Sequence, residues 1–401
     1  MSAFTIEARD ARSRARVGTL HTAHGTVRTP AFVPLASTAT VKGLLPEEVA
    51  ALGYEMVLGN TFHLLLRPGE ELIERMGGLH RFMGWGGAIV TDSGGFQLFS
   101  MGHGTVAEEI KGRNRRAGRD RAGTGAIVAI EEEGVRFRAY TDGRERFLSP
   151  EGSMQVQAAL GSDLVLALDE CTPLHVDRSY TARSTERTHR WLERCVRWQR
   201  RHGREGRLFY GIVQGGVYED LRRESAQFVA DSGCEGVAIG GSLGAEKAQM
   251  YEVVEFAMRE LEGERAIMPR HLLGIGEVDD LIRGVELGID TFDCAIPTRL
   301  GRHGTALIGD PARRWRLDLT KRAFREERAP ISERCPCPAC ANGLSRAYLS
   351  HLARARELTG MRLLSAHNLA FTATVVRRLR EAIRTGSLPA EAAALRAGWE
   401  E

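Results

Sequence analysis

The chain has 401 residues, a formal net charge of +3, and ordinary hydrophobic (43%) and charged (27%) fractions, which fit one large domain with a smaller appendage or two domains. No apolar run approaches the roughly 18 to 20 residues that span a bilayer, and the segment MSAFTIEARDARSRARVG lacks the apolar core of a secretory signal. A cytoplasmic protein without a membrane partner is expected, and so small a net charge does not by itself argue for nucleic acid.

Short continuous apolar runs recur along the chain with helical patterns between them. In order they are Thr29–Ser37, Met56–Asn60, Ala88–Asp92, Asp163–Asp169, Leu208–Gln214, Gly236–Gly240, His271–Gly276 and Asp290–Ile296. Continuous rather than alternating apolar runs are expected of strands buried on both faces of a parallel sheet. Helical periodicity falls between them, for example at Glu70–Met76, Ala182–Arg201, Tyr218–Ser232, Ala248–Leu261 and Val278–Leu287. Eight strands alternating with helices predict an α/β fold, a (β/α)8 barrel, with a doubly wound open sheet as the alternative.

About seventy residues separate Asp92 from Asp163, too many for a single crossover helix. This insert, over about 101–147, holds the Gly/Arg-rich segment Met101–Gly125, read as disordered, in which Lys111–Arg121 carries six basic residues and one acid. The alternating pair Ala126–Glu131 and Val135–Tyr140 then reads as a β-hairpin added to the barrel. The βα rhythm stops past Ile308, which divides the chain into a barrel over 1–310 and a C-terminal subdomain over 311–401. Helical sequence reaches His367, and a further helix is expected over Leu369–Thr385.

Polar residues gather where the strands of a barrel would end, the place where barrel enzymes keep their sites. They are Asn60, the run Asp92-Ser93-Gly94-Gly95-Phe96-Gln97, Asp169-Glu170-Cys171, Gln214-Gly215-Gly216, Gly240-Gly241 and Asp293. Glycine pairs let backbone N–H groups approach a flat ligand, aspartate and glutamine can read a purine-like edge, and Phe96 can supply a stacking face. Taken singly, each of these is as readily a cap, a turn or a core residue. Two carboxylates on different strands, Asp92 and Asp293, fit a glycosidic mechanism in which one attacks the anomeric carbon and the other handles protons. Asp293 runs into a Pro-Thr turn and a basic loop bearing Arg299, Arg302 and His303, and more arginines follow at Arg313, Arg314 and Arg316. That cluster makes a phosphate-bearing polymer a plausible partner.

Of seven cysteines, Cys335, Cys337 and Cys340 crowd into six residues, and His367 offers an imidazole from later helical sequence. A Cys3His set closes the tetrahedral shell of one Zn2+ and leaves no open position, which reads as a structural site stabilising a small subdomain.

The segments Thr91–Gln97 (TDSGGFQ), Ala167–Pro173 (ALDECTP), Gly211–Gly216 (GIVQGG), Phe292–Gly304 (FDCAIPTRLGRHG) and CPCPAC with His367 together closely resemble the tRNA-guanine transglycosylases. The resemblance extends over nearly the whole chain, including Gly59–Gly69 (GNTFHLLLRPG) and Ser345–Leu352 (SRAYLSHL). It implies an irregular (β/α)8 barrel with a zinc subdomain, a homodimer, and exchange of guanine for preQ1 (7-aminomethyl-7-deazaguanine) at the wobble position of tRNAs with GUN anticodons. By this resemblance Asp293 is the nucleophile on ribose C1′ and Asp92 the general acid/base. Ser93, Gly94, Gly95, Phe96, Asp169, Cys171, Gln214, Gly240, Gly241 and Leu273 form the base pocket. Gly274, Ile275, Gly276, Glu277, Val278, Asp279 and Asp280, with Thr298, Arg299, Leu300, Gly301 and Arg302, contact tRNA, and Cys335, Cys337, Cys340 and His367 hold the zinc. The loop GGSLGAE (Gly240–Glu246) departs from the family's usual GGLAVGE or GGLSVGE, while Cys171 favours preQ1. The alternatives are a zinc-stabilised glycosidase acting on a free nucleoside, a non-catalytic tRNA-binding accessory subunit, and an archaeal-type transglycosylase. Retention of both Asp92 and Asp293 speaks against the accessory subunit.

Overall fold

A computed structural model describes residues 3–103 and 127–399. The chain opens with an antiparallel sheet that sequence reasoning did not anticipate: β1 (Phe4–Arg9), β2 (Arg16–Thr22) and β3 (Gly25–Thr29). β1 and β3 alternate buried with more exposed residues, and Arg16, Gly18 and Thr19 break up the apolar residues of β2, so none shows the continuous apolar run that marked the barrel.

The barrel strands follow: β4 (Ala31–Pro34), β5 (Met56–Gly59) and β6 (Ala88–Thr91). An inserted sheet, β7 (Ile127–Ile130), β8 (Val135–Arg138) and β9 (Glu145–Leu148), comes next. Then come β10 (Leu164–Leu166), β11 (Leu208–Val213), β12 (Gly236–Ile239), β13 (Arg270–Leu272) and β14 (Thr291–Cys294). The eight parallel strands run in the order β4-β14-β13-β12-β11-β10-β6-β5. A parallel bridge between Leu35 and Leu58 brings the two ends together, so the barrel is nearly closed and the open-sheet alternative is set aside.

Alternation within each strand explains the continuous apolar runs. Val33, Leu58, Val90, Leu166, Tyr210 and Ala238 share one buried cluster inside the barrel. Phe32, Val57, Ile89, Val165, Phe209 and Val237 belong to the second, under the helices. Phe4, Leu20 and Val27 join the interior cluster, so the N-terminal sheet packs against the inside of the barrel.

Two buried carboxylates tie this sheet down. Asp290, at the start of β14, accepts from Arg16 Nε at 2.8 Å and Nη2 at 2.5 Å, and from the Arg270 amide at 2.7 Å. Asp163, before β10, holds the His24 ring on one oxygen (2.6 Å) and the His80 ring on the other (3.1 Å). The two imidazoles stack with centroids 3.5 Å apart and planes 18° apart. Their in-plane lone pairs then run side by side rather than converge, so the trio clamps the hairpin turn as hydrogen-bonded partners.

The expected hairpin in the insert gains a third strand, β9, and packs through Phe137 and Tyr140 on Phe62. The expectation of disorder for Met101–Gly125 lies, beyond His103, outside the described residues.

Two further expectations are corrected. The basic loop after Asp293 is a helix, Ile296–Arg302, with Pro297 in its first turn. Gly301 lets it press against the chain: a Cβ there would lie 2.5 Å from the Ser365 amide nitrogen. The helices expected to break near Leu369 form one 27-residue helix, Leu358–Arg384. Its Leu364 and Ala370 pack into the C-terminal cluster with Cys337 and Leu349, while Ala366, Leu369, Phe371 and Val375 pack with the barrel.

Candidate active site

Asp92 follows β6 and Asp293 lies within β14, and both line one cavity of about 200 Å³ at the C-terminal ends of the barrel strands. Ser93, Phe96, Asp169, Cys171, Gly240, Gly241 and Leu273 line it as well. Gly94, Gly95 and Gln214 stand outside that lining. Gly95 lies behind Asp169, where a Cβ would come within 2.7 Å of the Asp169 carbonyl oxygen. Gln214 is fully buried and donates its amide to Asp169 Oδ2 at 2.6 Å.

Asp92 is held by main-chain donors. Its Oδ1 accepts from the Thr61 amide at 2.9 Å and the Gly94 amide at 3.2 Å, and Asn60 Nδ2 donates to Oδ2. Burial nevertheless lifts its pKa to about 7, with the negative charge of Asp293 adding to the rise. Asp169, paired with Ser93 Oγ at 3.0 Å and with Gln214, is likewise lifted by burial, to about 6. Two of the three carboxylates in the cavity, Asp92 and Asp169, are therefore lifted toward neutrality by burial.

Asp293 receives both of its hydrogen bonds on Oδ1, from His271 Nε2 at 3.1 Å and from the Gly274 amide at 3.0 Å. Two polar atoms nearby are buried without a partner: Gln97 Oε1 and Gln214 Oε1. Orphaned acceptors beside a cavity are what a ligand with N–H donors would satisfy.

A second cavity of about 80 Å³ shares Gly274, Ile296 and Arg299 with the first. Ile275, Gly276, Glu277, Asp280 and Leu300 line it. Two of its acids are paired: Lys247 Nζ lies 2.9 Å from Glu277 and 3.0 Å from Asp280, and Arg316 is 2.5 Å from Glu277. Val278 and Asp279 open helix Val278–Glu286. Thr298 and Gly301 are buried in helix Ile296–Arg302, whose Arg299 is exposed at the cavity mouth. Arg302 Nη1 is buried without a partner, and burial followed by repulsion from Arg299 lowers the Arg302 pKa. An unpaired guanidinium nitrogen fits an anion.

Sequence reasoning missed His271 and Arg222, and it named Gln97 among the strand-end polar residues without giving it a role. Arg222 is fully buried and donates to the carbonyls of Gly216 (2.7 Å), Val213 (3.0 Å), Gly240 (2.8 Å) and Ser242 (3.0 Å). It joins the loops after β11 and β12, and its helical surroundings gave no sequence signal. Gln97 lay in plain view at the end of TDSGGFQ.

Away from the cavity, Cys335, Cys337, Cys340 and His367 bring their ligand atoms within 4.8 Å of one another and can hold a metal ion. His367 Nε2 bonds the Leu307 carbonyl at 2.8 Å, which leaves Nδ1 facing the Cys337 and Cys340 sulfurs at 3.5 Å each. A tetrahedron with Zn–S of about 2.3 Å and Zn–N of about 2.0 Å has S···N edges of about 3.5 Å, so the donor set fits that ion.

A family model described as queuine tRNA-ribosyltransferase matches residues 10–401. The chain belongs to the queuine tRNA-ribosyltransferase family. It is a pentosyltransferase. It is 48% identical to the queuine tRNA-ribosyltransferase of Roseiflexus sp. (strain RS-1), over 99% of this chain and 98% of that protein. The Pelotomaculum thermopropionicum protein of the same name is 45% identical over 96% and 95% of the two chains. A putative queuine tRNA-ribosyltransferase from Archaeoglobus fulgidus is 41% identical over 93% and 94%. Among the described residues no helix is long and apolar enough to cross a membrane.

Proposed function

We propose that this pentosyltransferase exchanges guanine at the wobble position of GUN-anticodon tRNAs for preQ1, through a covalent ribosyl ester on Asp293. The observation that carries the reading is one cavity shared by two carboxylates, Asp92 and Asp293, in unlike environments. Asp293 attacks C1′ as the C1′–N9 bond breaks, and Asp92 protonates the departing guanine, which is a poor leaving group as an anion. The entering base then gives its proton to Asp92 and displaces Asp293, so two inversions retain configuration.

Asp169, steadied by Ser93 and Gln214, accepts N–H groups of the base edge, and Phe96 lies against its face. The exposed Arg299 and the half-buried Arg302 take the phosphates around the extruded nucleotide. Gly274–Asp280, beside the second cavity, contacts a flanking nucleotide. The metal ion is a structural Zn2+; it closes the subdomain and supplies no step. The enzyme works in the cytoplasm as a homodimer.

The test is incorporation of labelled guanine into a GUN-anticodon transcript, beside a transcript with adenine at the wobble position, followed by a chase with unlabelled preQ1. Label confined to the guanine transcript and displaced by preQ1 supports the reading. No incorporation by metal-loaded protein would move the accessory-subunit reading to first place.

A further inference from the structure

His271 is a buried, titratable side chain behind the cavity lining, in contact with Asp293, and has no part in the proton transfers above. It is 3% exposed, on β13 directly opposite Thr291 of β14 in the parallel ladder. Residues two apart on a strand share a face, so Thr291 and Asp293 project to the same side as His271. The ring bridges them: Nδ1 lies 2.8 Å from Thr291 Oγ1 and Nε2 lies 3.1 Å from Asp293 Oδ1.

The carboxylate partner decides which ring nitrogen donates to it. A carboxylate only accepts, so Nε2 carries the proton. Nδ1 pairs with the Thr291 hydroxyl, which can donate or accept and so holds the ring in place while Nε2 donates. The chain links Thr291 Oγ1 to Nδ1 and Nε2–H to Asp293 Oδ1, and the Gly274 amide adds a second donor to the same oxygen.

We propose that His271 is the positioning residue of the Asp293 carboxylate, an N–H donor held in place by Thr291. Two donors on Oδ1 fix the carboxylate plane and keep Oδ2 as the attacking oxygen. When the Oδ2–C1′ bond forms and C1′–N9 breaks, Oδ1 becomes the ester carbonyl oxygen and retains both donors. When the entering base breaks Oδ2–C1′, the same donors receive the returning negative charge. No proton moves to or from the ring. The inference rests on Asp293 being the nucleophile.

The test compares His271→Leu, His271→Gln and Thr291→Val in the full-length, metal-loaded enzyme. Three readouts are taken: kcat and base KM for guanine exchange, the rate at which a covalent protein–tRNA adduct appears on quenching in denaturant, and the thermal midpoint. Loss of one charge-assisted hydrogen bond predicts a fall in kcat and adduct rate of about 10- to 100-fold in His271→Leu, with base KM changed by less than about 2-fold. His271→Gln, which restores an N–H donor at the Nε2 position, recovers most of that loss, and Thr291→Val falls between. An unchanged kcat in His271→Leu overturns the inference. So does an equal loss in the Leu and Gln variants that tracks their thermal midpoints. Should His271→Leu fail to fold, a wild-type adduct rate in Thr291→Val overturns it instead. A wild-type enzyme that exchanges base without any adduct, or an adduct surviving Asp293→Asn, sinks the nucleophile assignment itself and the inference with it.

Discussion

The Cys3His centre and the base cavity are both buried polar clusters, and they resolve the cost of burial in opposite ways. At the metal centre His367 is spoken for on both nitrogens, and Cys337 accepts from the Cys340 amide at 3.4 Å. The cavity leaves Gln97 Oε1 and Gln214 Oε1 unpaired and lifts Asp92 and Asp169 to about 7 and about 6. Unsatisfied groups of this kind weaken a fold unless a ligand completes them, so the contrast supports the proposed division between a structural centre and a reactive one. The two are mechanically linked. Asn368, next to His367, donates to the carbonyls of Pro297 at 2.9 Å and Thr305 at 3.0 Å, which pins the arginine-bearing helix beside Asp293.

That contrast breaks first if the metal is removed. Chelation, or Cys337→Ser, withdraws metal-linked folding energy on the order of 10 kcal/mol, so the C-terminal subdomain unfolds and exchange stops. Metal analysis with thermal denaturation, before and after adding zinc back, checks it. Retention of activity and midpoint by metal-free protein would show that the subdomain holds helix Ile296–Arg302 without an ion. Next in size, Asp293→Asn lowers exchange by at least about 10³-fold while leaving the thermal midpoint near wild type. A comparable loss of stability would place Asp293 among the structural carboxylates, with Asp290 and Asp163.

Asp92 gives a pH test. Its pKa of about 7 lies above the ordinary carboxylate range, so the acid form is populated at neutrality and disappears as pH rises through 7. Release of guanine in a single turnover, which needs the acid, therefore falls about tenfold per pH unit on the alkaline side. Asp92→Asn lowers the rate by about 10²- to 10⁴-fold and removes that inflection. An inflection that survives the substitution would assign the proton transfer to another group.

The barrel was legible because its strands are buried on both faces and read as eight apolar runs. Helix Ile296–Arg302 was not, since Pro, Thr and Gly in IPTRLGR read locally as a turn. Packing on the long helix overrode that preference, and Gly301 is there to permit the close approach. Asp92 and Asp169 drew notice because each ends an apolar run, and Asp293 because it interrupts one. Their supports were hidden for a different reason: Arg16 finds Asp290 across 274 positions, and Arg222 finds only carbonyls, so no local pattern announces either. His271 lay inside a run read as strand, where a polar residue facing the interior was the overlooked clue.

Gly241→Ala carries the smallest expected effect and probes the cavity where it is tightest. Gly241 has φ of +79°, a conformation that costs a side-chain-bearing residue about 1–2 kcal/mol. The new Cβ would stand 2.2 Å from Gln214 Oε1, so Gln214 must move, and its bond to Asp169 Oδ2 moves with it. Asp293 and Asp92 are untouched by that shift. Base KM should therefore rise about tenfold, with kcat falling less and the thermal midpoint dropping by a few degrees. The metal centre, which shares no partner with Gln214, should keep its ion. If kcat falls instead and KM holds, the Asp169–Gln214 pair positions the reacting bond and the base edge is read elsewhere, with Gln97 Oε1 the next acceptor to test.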